Sequence, residues 1–167
     1  MKNGMYVEDY KVVHYRDGQK HRDDGPAVQW QDGSMEWWVN GKKHREDGPA
    51  VQWSNGSKEW WVSGKKHRLD GPAIDDGPDR AKEWWVRGKK HREDGPAVIS
   101  LAGTKEWWVN GSLHREDGPA VELDGMKPIW FSWGVRQDQP LVQTTPAALR
   151  KKFLENDGEP DIKLSPK

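Results

Sequence analysis

Five histidines recur at an almost constant interval. His21, His44, His67, His91 and His114 each open the heptapeptide His-Arg-x-Asp-Gly-Pro-Ala, in steps of 23, 23, 24 and 23 residues. Each copy therefore sets an imidazole, a guanidinium and a carboxylate side by side: Arg22 with Asp24, Arg45 with Asp47, Arg68 with Asp70, Arg92 with Asp94, and Arg115 with Asp117. A row of histidines can hold metal ions or sense pH. Arg–carboxylate pairs can be bidentate and planar. Yet a metal site wants different ligands converging, and the chain has no cysteine. Acid/base work by two carboxylates needs two different environments, whereas a regular array offers one environment repeatedly. Equal residues in every copy meet the same stacking problem. The expectation is a structural ladder of His21, His44, His67, His91 and His114 with Arg45, Arg68, Arg92, Asp47, Asp70 and Asp94. In it, histidines bond a nearby Asp or carbonyl, and Arg and Asp alternate as ions between copies. An Arg-lined ligand site is the other reading. No catalytic residue, metal or cofactor is expected.

Tryptophans form a second anchor seven residues before each histidine: Trp37-Trp38, Trp60-Trp61, Trp84-Trp85 and Trp107-Trp108. His14-Tyr15 and Trp130-Phe131 fall in step at the two ends, as degenerate copies. Rows of indole can stack sugars or bases, or they can be core. Trp38, Trp61, Trp85 and Trp108, with Trp30 and Trp53 beside the turns, are the candidate binding face. Trp37, Trp60, Trp84 and Trp107 are expected on the more buried face.

These anchors require hairpins to hold them. Asp32-Gly33, Asn55-Gly56 and Ala102-Gly103 sit where one turn is needed, and Asn-Gly favours a two-residue type I′ turn. Such a turn pairs Val51 with Trp60 and Ala50 with Trp61, and likewise Val28 with Trp37 and Val98 with Trp107. Ile74 would face Trp84, in a register loosened by the insertion. A second turn follows at Asn40-Gly41, Ser63-Gly64, Arg87-Gly88 and Asn110-Gly111. The 24-residue step reflects one extra residue within 75–80, which should lengthen a hairpin tip. Residues 1–11 could supply a capping strand. The fold class expected is all-β: an elongated single array of antiparallel hairpins over residues 1–134, then an extension over 135–167. In that extension, 145–154 reads as a short capping helix with Thr145 as N-cap and Pro146 at its first position.

Composition sets bounds. Lys plus Arg and Asp plus Glu both number 27, so formal net charge is zero, without the basic excess of a general nucleic-acid binder. Val, Leu, Ile and Phe make only 27 of 167 residues, while tryptophans number 12. A thin, aromatic core is therefore expected. The lysines of 42–43, 65–66 and 89–90 form a stripe suited to solvation and to protecting a sheet edge. No apolar run approaches the ~20 residues that span a bilayer. Residues 1–5 lack the apolar stretch of a signal peptide, and the cytosol is the expected compartment.

The unit Asn55-Gly56-Ser57-Lys58-Glu59-Trp60-Trp61-Val62-Ser63-Gly64-Lys65-Lys66-His67-Arg68 resembles a MORN-type repeat, in the variant bearing HRxDGPA found in phage, giant-virus and bacterial proteins. The resemblance covers residues 10–134. It implies a sheet of hairpins serving as an interaction scaffold, sometimes linked to lipids. The chain departs from the standard pattern in having Trp-Trp where Tyr-x-Gly-x-Trp is more usual. P-loop, dinucleotide, nucleophile-elbow and zinc-protease motifs do not occur. The function expected is non-catalytic binding of another protein, as a phage-type accessory factor acting on a host defence component. The alternative is a module that holds a sugar or nucleotide through Trp and Arg.

Overall fold

The computed structural model describes residues 1–138. The helix expected over 145–154 lies outside the described residues. Every regular element described is a strand. β1 (Gly4–Glu8) and β2 (Lys11–Arg16) form the first hairpin, and β3 (Gln19–Lys20) folds back on β2. The first full copy supplies β4 (Val28–Trp30), β5 (Met35–Glu36), β6 (Trp38–Val39) and β7 (Lys42–Lys43). The next supplies β8 (Val51–Gln52), β9 (Lys58–Glu59), β10 (Trp61–Val62) and β11 (Lys65–Lys66). The same steps recur over 74–90 and 98–113.

Each copy thus holds two hairpins. The first of each, such as β4/β5 and β8/β9, joins its neighbours in chain order to make one sheet of 12 strands ending at Val121–Glu122. The second, such as β6/β7 and β10/β11, is a separate two-stranded ribbon. The first tryptophan of each pair is the crossing point. Trp60 donates its backbone N–H to the Ala73 carbonyl in the sheet (2.8 Å), and its own carbonyl accepts from His67 N in the ribbon (3.1 Å). Ribbons are also bonded to the next copy: Gly64 N donates to Lys43 O (2.9 Å) and Arg45 N to Trp61 O (3.0 Å).

The two turns are of different kinds, and this corrects the expected register. Val51 faces Glu59, Val28 faces Glu36, Ile74 faces Glu83 and Val98 faces Glu106; none faces a tryptophan. The sheet hairpins close through three residues, as at Ser54-Asn55-Gly56, with Trp53 N bonded to Ser57 O. The Asn55 side chain accepts from Ser57 N (2.9 Å) and Gly56 takes φ +88°. A type I turn followed by a left-handed glycine is the usual three-residue solution. The type I′ geometry belongs to the ribbons instead, where Asn40 and Gly41 have φ +46° and +71°. The inserted residue does lengthen a tip. Asp75 pairs with Lys82 and Asp76 N bonds Ala81 O, leaving four loop residues where other copies have three.

The core is also not the aromatic one expected. The residues at 0% exposure are Val13, Val28, Val51 and the alanines that close each heptapeptide, Ala27, Ala50, Ala73, Ala97 and Ala120. Both tryptophan rows are half-buried, so neither is the buried face. Ala is demanded because consecutive hairpins close over it: Ala50 O accepts Trp37 N and Ala73 N donates to Glu83 O. Replacing Ala73 by Leu should overpack this seam and lower stability by about 1–3 kcal/mol. Thermal or urea unfolding checks it, against Leu69→Ala on the exposed loop as a near-neutral control.

Candidate functional site

The heptapeptide loop is built around the arginine. The Arg45 guanidinium lies 4.1 Å from the Trp37 ring centroid, donates from Nε to Asp47 (2.8 Å) and from Nη1 to the Pro49 carbonyl (3.4 Å). Arg68 on Trp60, Arg92 on Trp84 and Arg115 on Trp107 repeat this at 3.9–4.0 Å. Arg22 meets His14 in the degenerate first copy (3.2 Å); burial, then the Arg22 charge, hold that imidazole below its ordinary range. Glycine is needed for space: a β-carbon at Gly48 would sit 3.2 Å from Arg45 Cζ, and at Gly71 2.9 Å from Arg68 Cζ. The ion pairs are therefore made within each loop. They do not alternate between copies as expected, because the stacked guanidinium already points its Nε at the carboxylate two residues on.

The second tryptophan row is organised by glutamate and lysine. Trp38 Nε1 donates to Glu36 (2.7 Å), Trp61 to Glu59 (2.8 Å), Trp85 to Glu83 (2.7 Å) and Trp108 to Glu106 (2.7 Å). Lysine ammonium groups alternate with these rings. Lys20 and Lys43 flank Trp38, Lys43 and Lys66 flank Trp61, and Lys66 and Lys90 flank Trp85, all within 4.6–5.9 Å. Lys90 reaches Trp108 as well (5.2 Å). Such contacts contribute about 0.5–1 kcal/mol each at exposed sites. The glutamates were the partners the sequence reading missed. Their signal was present, since a Glu stands two residues before the second tryptophan in all four copies.

The histidines tie one copy to the next. Nδ1 of His44 accepts from Ser63 N (3.0 Å), His67 from Arg87 N (3.2 Å), His91 from Asn110 N (3.2 Å) and His114 from Trp133 N (3.4 Å). His21 takes Asn40 N (3.0 Å). Each donor is the left-handed first residue of the next ribbon turn. Nε2 faces the variable residue of the heptapeptide: Asp23 at 2.8 Å, and Glu46, Glu93 and Glu116 at 3.6–3.8 Å. In the third copy that residue is Leu69, 80% exposed.

Among the remaining candidates, Trp53 donates to Glu59 (3.0 Å) at the edge of the same row. Trp30 lies under Lys11 (4.7 Å), and its buried indole N–H has no acceptor among the described residues. Trp133 is exposed and stacks on His114 (4.1 Å). Shallow equivalent grooves run between copies; one is lined by Leu69, Asp70, Trp84, Arg92 and Glu93. No group of three or more metal-ligating side chains forms among the described residues, and no helix described is long and apolar enough to cross a membrane. Comparison with known families and with characterised proteins yields no match to the chain.

Two outcomes follow. Glu59 accepts two indole N–H groups, so Glu59→Ala should destabilise by about 1–2 kcal/mol, and Glu59→Gln, which keeps one acceptor, by less; chemical denaturation reads the difference. The second concerns acid. Hydrogen bonds from arginine, then arginine charge, hold Asp24, Asp47, Asp70, Asp94 and Asp117 below the usual carboxylate range. A carboxyl depressed in the folded state stabilises above its unfolded value of about 3.9 and ceases to do so as pH falls through its folded value. Stability should therefore drop below about pH 4. A variant carrying D47N, D70N and D94N should show a flatter drop in melting temperature over that range.

Proposed function

We propose that this chain is a non-catalytic scaffold of the MORN type that binds another protein along the loop edge of its repeat array. The observation that carries this is the split between residues committed to stacking and residues that are not. Alanine, arginine, glycine, histidine and both tryptophans of each copy are engaged by neighbours in the array. The variable third residue of the heptapeptide, Asp23, Glu46, Leu69, Glu93 and Glu116, is exposed in every copy. Asp23 is held by Arg16 and His21, but Glu46, Leu69, Glu93 and Glu116 differ while the histidine bond of each of their copies persists, so specificity can be written there. The lysines between the second-row indoles favour this reading over stacking of sugars or bases, which needs open ring faces.

The partner class is a host protein, with the chain acting as a phage-type accessory factor that occupies a component of host defence. The test uses the full chain and a triple variant, E46K, E93K and E116K, on beads against host lysates. The expected result is a protein retained by the native chain and lost by the variant at unchanged melting temperature. Equal retention by both chains, or none by either across several hosts, would sink the proposal.

A further inference from the structure

The sheet has two edge strands, and they are finished differently. At one end, Val121 exchanges both backbone bonds with Ile129 (3.0 and 2.9 Å), so the returning chain covers that edge. At the other end stands β1. Among the described residues, its five residues pair with β2 on one side only.

The orientation of its free groups follows from β2. His14 N bonds Ala27 O and Gln31 N bonds Tyr10 O, so the even-numbered residues of this stretch point toward β4. Lys11, Val13 and Tyr15 therefore point toward β1, where they face Glu8, Tyr6 and Gly4. Backbone groups alternate along a strand. The N–H and C=O of Met5 and Val7 are thus directed away from the sheet. These two residues are 65% and 76% exposed. Nothing in Gly4–Glu8 protects the edge as natural edges usually are: there is no proline, bulge or lysine. The preceding residues lie against the turn between β2 and β3, with Lys2 O accepting Gly18 N (2.8 Å) and the Asn3 side chain accepting Asp17 N (2.6 Å). Lys2 also pairs with Glu8 (2.7 Å), neutralising the one charge of the strand.

We propose that two copies of this chain join edge to edge through β1, antiparallel about a two-fold axis at Tyr6. Self-complementarity identifies the partner as a second copy. With Tyr6 opposite Tyr6, Met5 falls opposite Val7 of the other chain, and Gly4 opposite Glu8. The two Met5/Val7 pairs are then the hydrogen-bonded ones, because those residues carry the outward groups, and Tyr6/Tyr6 is the non-bonded pair between them. Four backbone bonds form, apolar side chains meet apolar side chains, and no like charges oppose. An isologous contact of this kind closes on itself and makes one continuous sheet across both chains.

Sedimentation velocity of the full chain from low to high micromolar concentration tests it, with three variants. The native chain should dimerise. V7P removes an outward N–H that β2 does not use, and should be monomeric at concentrations where the native chain is dimeric, with little change in melting temperature. M5K/V7K opposes like charges and should also be monomeric. M5K/V7E sets lysine opposite glutamate in the same register and should restore the dimer; this variant keeps the test decisive if V7P fails to fold. A native chain monomeric throughout overturns the proposal, including the case where Met5 and Val7 amides are protected from exchange, since its own chain would then cover the edge. So does a dimer indifferent to V7P and M5K/V7K, or one that M5K/V7E fails to restore.

Discussion

Strands of two residues cannot stand alone, and in the long sheet the structure depends on each being paired on one side within its own hairpin and on the other with the neighbouring copy. The glutamate end of β9 faces Val51 within its own hairpin and Ile74 of the next. Removing one copy would strip partners from two others. Stability in such an array comes from interfaces between units more than from the units themselves. The small buried residues follow from this. Ala50, Ala73 and Ala97 are wholly buried at this seam, and the bulky tryptophans stay half-buried outside it.

That placement explains the cations. A half-buried indole offers one face to the protein and one to water, and a flat guanidinium or an ammonium over the open face keeps solvent from it without burying a charge completely. The first row takes arginine, whose Nε and Nη1 can also satisfy an Asp and a proline carbonyl at fixed angles. The second row takes lysine, whose single ammonium reaches the ring of its own copy and the ring of the next. Each row thus selects the cation whose geometry serves its position. Glu36, only 6% exposed, and its counterparts then fix the tilt of the second-row rings by accepting their N–H groups.

Charge neutrality in composition conceals a layout. Lysines gather on the ribbons with the second-row indoles, while the exposed carboxylates gather on the heptapeptide loops, where each arginine is already committed to its own aspartate. The loop edge is left as an acidic rim interrupted by Leu69.

The sequence by itself determined the period, the all-β class, the place of the turns within the central copies and the lengthened third tip, but not the turns at 9–10, 17–18 and 133–134. Period and turn residues are local properties: His67 announces a copy wherever it stands, and Asn40-Gly41 favours left-handed backbone whatever lies around it. It could not determine register, because Asn55-Gly56 suits a two-residue or a three-residue loop, and one residue of slip moves Trp60 away from Val51. Nor could it tell core from cover. Both tryptophans of a pair have the same hydrophobicity, and which of them meets arginine, lysine or glutamate depends on how consecutive copies stack. The histidine bond to the next copy's turn lay equally out of reach, since its acceptor and donor stand about 20 residues apart in sequence and meet only in the folded array.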